Sequence, residues 1–296
     1  MVPGKGFRGR PWNRAVQGHG RLRPEAHVTS TETNQTVKMH WQDHGGNGPC
    51  LLMVHGILSS TAQWLDNLPA LADCCRSITV ELWGHGQSPT PQQRDAYHPG
   101  HWVTQFETIR KALGVERWFL LGCSLGAAAT IRYALAHPER TLGHIFTNSA
   151  SAFADPARLP NTATAAEATA EKLLLGGRAA LERIAMHPKH ARRLPPRTHA
   201  ALMDDAAGLS PTGVANILRY STPHLSVRDG IAENTTPALL ICGRREKRFL
   251  PNRDYAAAHM PQLTIADLDA GHGVNMEDPE NFNALAHEFI ERWQDS

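Results

Sequence analysis

The sequence predicts an α/β fold: a mostly parallel central sheet flanked by helices, with an all-helical segment inserted between two of its strands. Three observations carry this expectation. Short continuous apolar runs alternate with amphipathic stretches, as strands buried on both faces alternate with the helices that cover them. Between Ser151 and Thr236 the alternation stops, and Ala/Leu-rich stretches are broken by Pro160, Pro188, Pro195, Pro196 and Pro211. The strand–helix rhythm then resumes as far as residue 296.

Taken in order, Ala26–Ser30 and Val37–Gln42 alternate polar and apolar residues and are expected as paired edge strands. Cys50–Val54 is a short apolar run of the doubly buried kind. Ser59–Ala72 has helical spacing through Trp64, Leu68 and Leu71. Ile78–Leu82 is a further strand, closed by the turn Gly84-His85-Gly86. In the next helix Trp102, Phe106, Ile109 and Leu113 share one face. Strand Trp118–Leu121 is followed by helix Gly126–His137, ended by Pro138. Strands His144–Thr147, Ala238–Cys242 and Leu263–Leu268 follow, then a final helix, Glu280–Trp293. The expected organisation is a core of residues 26–150 and 237–296 with a helical lid of residues 151–236. Such an insertion is expected above the carboxyl ends of the strands, where open α/β sheets bind ligands.

Composition narrows the class. The chain has 296 residues, 41% of them hydrophobic and 20% charged. That fits one large α/β domain with an insertion, or two ordinary domains. No apolar run is long enough to span a bilayer. The five cysteines show no metal-ligand spacing and are expected to be buried thiols in a reducing, cytoplasmic setting. No phosphate loop, dinucleotide fingerprint or metal cluster is present in the sequence, so the chemistry is expected to need no cofactor. The net charge of +2 hides an asymmetry. Residues 1–25 hold six Lys/Arg and one acid; removing them from 30 basic and 28 acidic residues leaves 24 and 27, near −3. This Gly-, Pro- and Arg-rich opening cannot bury enough surface to fold and is expected as a disordered leader rather than a nucleic-acid arm.

The sharpest motif is Gly122-Cys123-Ser124-Leu125-Gly126, between a strand and a helix. A G-x-S-x-G at such a junction forms a tight turn that projects the serine hydroxyl out of the sheet, which makes Ser124 the expected nucleophile. Cys123 leaves the turn one position early and is expected beneath it. A serine hydroxyl needs a base. His272, in Asp269-Ala270-Gly271-His272-Gly273 after the last strand, is the candidate. The orienting acid is expected at Glu246, after strand Ala238–Cys242, with Asp155 in reserve. Asn148, directly after the earlier strand, lacks the charge. The backbone N–H groups of Ile57 and Leu125 are the expected oxyanion hole.

On these motifs the sequence resembles the α/β-hydrolase superfamily over about residues 36–295. The resemblance rests on His55-Gly56, the G-H-G-x-S turn at Gly84–Ser88, the elbow and the final Ala270-Gly271-His272. Within it, Gly243-Arg244-Arg245-Glu246-Lys247-Arg248-Phe249 is similar to the G-E-x-D-x-K-F stretch of menaquinone-pathway SHCHC synthases, with Glu246 at the acid. Those enzymes usually carry arginine two residues after the elbow's last glycine, where this chain has Ala128. Haloalkane dehalogenases and epoxide hydrolases need aspartate where this chain has Ser124.

The resemblance implies a serine hydrolase acting on small carboxylic esters, lactones or thioesters. The alternatives are a lyase or carbon–carbon hydrolase using the same residues, or a ligand receptor on the same fold. The expected partner is a small-molecule substrate. Ala127–Ala129 is expected to form a small apolar wall suited to a neutral acyl group. The basic run Arg183 to His199 is expected as a solvated helix face, the alternative being an anion-steering lid surface. Trp64 fits either the core or the pocket.

Overall fold

The computed structural model describes residues 37–296. The expected leader, residues 1–25, and the expected strand Ala26–Ser30 lie outside them. The elements are β1 (Trp41–Asp43), β2 (Cys50–Val54), α1 (Leu68–Leu71), β3 (Arg76–Val80), α2 (Pro99–Ala112), β4 (Trp118–Gly122), α3 (Leu125–Ala136) and β5 (Thr141–Thr147). After these come α4 (Leu159–Leu181), α5 (Pro196–Ala206), α6 (Pro211–Asn216), β6 (Ala238–Gly243), α7 (Leu250–His259), β7 (Leu263–Leu268), α8 (Val274–Glu277) and α9 (Pro279–Trp293).

The strands form one seven-stranded sheet in the order β1-β3-β2-β4-β5-β6-β7. Only β1 runs antiparallel, pairing with Ile78–Val80 of β3; the other neighbours are parallel. The chain steps from β2 outward to β3, then returns to place β4 on the other side of β2. Such a reversal opens a crevice at the carboxyl ends of β2 and β4. The loop Gly56–Ser59 and the turn at Ser124 both emerge there. Each residue of β2, β4 and β6 is buried. Their apolar runs are unbroken because helices cover both faces: Trp102, Phe106 and Tyr133 pack on one side, and Trp64, Phe282 and Phe289 on the other.

Three readings change. The expected edge strand Val37–Gln42 is found only as Trp41–Asp43, with residues 37–40 outside any strand, and its partner is β3. Ser59–Ala72 is not one helix but a 3-10 turn, Thr61–Trp64, followed by the single turn α1. The Ser60 hydroxyl accepts the Ala62 N–H to start the first turn. Pro69, lacking an N–H, fits only the first turn of a new helix, so the helix restarts at Leu68. Trp64 lies wholly in the core. The helix α7 was not anticipated; only Ala256 of its ten residues is buried, so the sequence carries little apolar periodicity there.

Residues 151–236 contain no strand among those described. Leu173, Leu181, Leu209 and Val214 form a small separate cluster that reaches the sheet region through Leu58. The long α4 breaks at Gly177, where φ is +53°.

Candidate active site

The turn after β4 forms because two glycines permit contacts that no other residue could. A Cβ on Gly122 would lie 2.3 Å from Thr130 Oγ1, and one on Gly126 would lie 2.2 Å from the Val54 carbonyl oxygen. The residue between them takes the strain. Ser124 has φ +52° and ψ −114°, a conformation that costs a non-glycine residue roughly 1–3 kcal/mol and that recurs at functional sites. Cys123 is buried beneath, its Sγ 3.6 Å from Asn275 Oδ1. Burial pushes its thiol up to about 12, so it is not a nucleophile at neutral pH.

Ser124, His272, Glu246 and Ile57 line one cavity of about 490 Å³. The ring Nδ1–H of His272 donates to Glu246 Oε2 at 2.8 Å. Burial of the Glu246 carboxyl favours its neutral form, but the hydrogen bond and charge of His272 and the Asn148 amide outweigh it, and the group lies below its ordinary range. Asn148 is the residue whose part the sequence concealed. Its Nδ2 donates to Glu246 Oε2 at 2.8 Å and to the Gly243 carbonyl at 2.9 Å, while its Oδ1 accepts the Gly243 N–H at 3.0 Å. Although uncharged, it fixes the carboxylate from the end of the neighbouring strand. Asp155 is not among the cavity's residues: it caps the turn Pro156–Arg158, accepting the Ala157 N–H at 2.9 Å.

The N–H groups near Ser124 divide clearly. In the loop after β2, the Gly56 N–H is bound by Gln63 Oε1 at 3.1 Å and the Leu58 N–H by His85 Nε2 at 3.0 Å. Burial holds His85 far below its usual range, at about 3, which keeps the ring neutral and able to accept. In the turn after β4, Gly126 N–H bonds to Cys123 and Ala127 N–H to Ser124. Among the described residues, the N–H groups of Ile57 and Leu125 alone in these two short segments, Gly56–Leu58 and Leu125–Ala127, have no partner. Two open donors beside a hydroxyl can stabilise an oxyanion.

A buried amide network ties these segments together. Asn275 Nδ2 donates to the Gln63 carbonyl and to Asn67 Oδ1, both at 3.0 Å, and Asn67 Nδ2 donates to Asn283 Oδ1 at 2.8 Å. The loop carrying His272 is held in addition by Glu277, whose Oε2 accepts the Gly271 N–H at 2.9 Å. None of these amides was singled out in the sequence, because polar residues in apolar stretches are legible as a network only once they meet.

The cavity's far wall comes from the insertion: Met186, His187, Ala191, Arg192, Arg193 and Leu194 all line it. The expected helix face is not there: residues 183–195 are turns around the 3-10 turn Pro188–His190, and His187 is buried. Arg183, Lys189, Arg192, Arg193 and Arg197 are exposed, and Arg192 and Arg193 also line the cavity. Ala127–Ala129 is not the apolar wall the sequence suggested. These alanines are fully buried in the main core, because the first turn of α3 is pressed against the sheet at Gly122 and Gly126. The apolar lining comes instead from Ile57, Leu58, Met186, Leu202 and Met276.

Fold and site together define an α/β enzyme of the hydrolase type, with its candidate centre at the strand–turn–helix junction after β4. The chain belongs to the α/β hydrolase fold family, which it matches over residues 49–279. A protein of Pseudomonas savastanoi provisionally named the carbamate hydrolase RutD is 26% identical over 253 residues, covering 82% of this chain and 94% of that one. A Bacillus subtilis protein provisionally named 2-succinyl-6-hydroxy-2,4-cyclohexadiene-1-carboxylate synthase is 24% identical over 258 residues, covering 84% of this chain and 93% of its own. The solved structure of MenH from S. aureus superposes with a TM-score of 0.76 at 19% identity, over 86% of this chain and 99% of that one. Among the described residues no helix is long and apolar enough to cross a membrane, and no group of three metal-ligating side chains converges.

Proposed function

We propose that the protein is a serine hydrolase of small carboxylic esters, lactones or thioesters, with Ser124 as nucleophile, His272 as general base, Glu246 as orienting acid and residues 151–236 as a lid. The observation that supports this most is the 2.8 Å bond from His272 to Glu246 on a cavity that the strained Ser124 also lines. In this reading His272 takes the Ser124 proton as Oγ attacks the carbonyl carbon. The N–H groups of Ile57 and Leu125 hold the oxyanion. On collapse the proton passes from His272 to the leaving alcohol or thiol, and water, deprotonated by the same ring, releases the acid and restores the serine. A fluorophosphonate probe followed by mass spectrometry tests it: the adduct belongs on Ser124, and an adduct elsewhere ends the reading.

A second reading, a lyase or carbon–carbon hydrolase with His272 drawing a proton through Ser124, is favoured by the likeness to the B. subtilis synthase. Burst release of a chromogenic alcohol, stoichiometric with enzyme, separates the two, since only acyl transfer gives it.

A further inference from the structure

We infer that the substrate carries an oxyanion, a carboxylate or a phosphate, a few atoms from the scissile carbonyl, and that Arg192 and Arg193 bind it. The inference rests on the hydrolase reading and narrows its substrate class.

The charge around the cavity carries the argument. Its carboxylates are Glu246, in the loop beyond β6, and Glu277, the last residue of α8; both are hydrogen-bonded, Glu246 by His272 and Asn148, Glu277 by the Gly271 N–H. Two histidines of the insertion also line the cavity, but their rings are engaged with backbone. His187 Nδ1 accepts the Lys189 N–H at 3.3 Å, and His190 Nε2 donates to the Glu182 carbonyl at 3.0 Å. Burial lowers the His187 pKa, favouring its neutral form. Nearby Lys189 is neutralised by Glu182 at 3.2 Å.

That leaves Arg192 and Arg193, whose guanidinium groups have no ion pair or side-chain hydrogen bond among the described residues. Two adjacent, exposed arginines on the lining of this cavity, with no carboxylate of their own, suit a planar or tetrahedral oxyanion. Each can present a bidentate fork of N–H donors. An anion held by these arginines would leave the uncharged part of the molecule for the apolar lining at Leu58, Leu202 and Met276, with its carbonyl toward Ser124. The lid then selects substrates by charge, and the field of the arginines also raises the rate of encounter.

The test compares matched esters: monomethyl adipate against methyl hexanoate for a carboxylate, and 4-acetoxybutyl phosphate against butyl acetate for a phosphate. At low salt kcat/KM for at least one anion should exceed that of its neutral match about tenfold, equivalent to about 1.4 kcal/mol. The preference should shrink as ionic strength rises, because the arginines are exposed and screened. In the double variant Arg192→Gln/Arg193→Gln the ratio should approach one, while Arg197→Gln, which removes a lid cation that does not line the cavity, should keep it. Binding of the same four compounds to Ser124→Ala, measured by calorimetry, should show the same order. Equal treatment of anion and neutral match in both pairs overturns the inference, as does a preference that survives the double variant. If no ester is turned over but Ser124→Ala still prefers an anion, the hydrolase reading fails and the arginine site stands.

Discussion

The loops at the carboxyl ends of the strands and the insertion that faces them are built on opposite principles. Beyond β2, β4, β6 and β7 many polar groups are committed to one another: Gly56 to Gln63, Leu58 to His85, Glu246 to His272 and Asn148, and Asn275 to three partners. The strands beneath are buried along their whole length. In the insertion only four of the 23 residues of α4 are buried, and Leu175 is 90% exposed. Chemistry that needs sub-ångström placement belongs to the first region, where alternative positions would leave buried polar groups unpaired. Selection among substrates can sit on the second, where side chains change without disturbing the core.

If that division holds, the largest effects come from the strand ends. Ser124→Ala should lower kcat by ~10³-fold or more. The fold should persist, since alanine fits the same turn; thermal melting beside steady-state kinetics checks both. A variant that keeps full activity would move the chemistry elsewhere.

Next is the acid. Glu246→Gln should lower kcat by roughly 10²–10⁴-fold, because the imidazole loses both its orientation and the charge that stabilises its cation. Asp155→Asn, a change at a turn cap away from the cavity, should leave kcat within about twofold. The reverse ranking would place the acid after the earlier strand. The double variant Asn148→Asp/Glu246→Gln should recover part of the loss, since position 148 already touches the carboxylate's site.

These residues also mark how much of the candidate site the sequence showed and where it stopped. Ser124 was legible because the turn is local: two glycines and a strand–helix change within a few residues specify it. His272 and Glu246 followed from their places after strands. The clamp by Asn148 was not, because its partner is 98 residues away and only the pairing of β5 with β6 brings them together. The arginines at 192 and 193 were visible as charges, but the sequence alone did not show which way they face. The broken helix at Thr61–Leu71 was misread for a related reason: the apolar spacing was right, while Pro69 and the Ser60 cap set where each turn begins.

The amide network offers a smaller test of the same contrast. Asn275→Ala should leave Asn67 Oδ1 and the Gln63 carbonyl without a donor, costing about 1–3 kcal/mol for each stranded group. Denaturant unfolding should show that loss. An exposed substitution in the insertion such as Glu171→Gln should stay within about 0.5 kcal/mol.

The finest test contrasts two ion pairs through pH. In the sheet domain Glu107 receives Arg110 Nε at 2.7 Å and Nη2 at 3.0 Å, together with the Tyr133 hydroxyl. These bonds, Arg110 first, hold its carboxyl at about 2, well under the ordinary glutamate value of 4.5. A carboxyl with a lowered folded pKa binds its proton less readily when folded. It therefore contributes stability above the unfolded value, and that contribution drains away as pH falls from about 4.5 toward 2. In the insertion Glu167 receives Arg219 Nε at 2.8 and 2.9 Å, but its side chain is 47% exposed, where water and salt screen the pair to about 0–1 kcal/mol. Melting temperatures of the parent, Glu107→Gln and Glu167→Gln should be followed from pH 6 to pH 3. Glu107→Gln should melt lower than the parent at pH 6, and the gap should narrow toward pH 3, because the variant has no charge left to lose. Glu167→Gln should run nearly parallel to the parent across the range. Parallel curves for both variants would mean that the buried and exposed pairs contribute alike, and that the contrast between the two regions does not extend to their electrostatics.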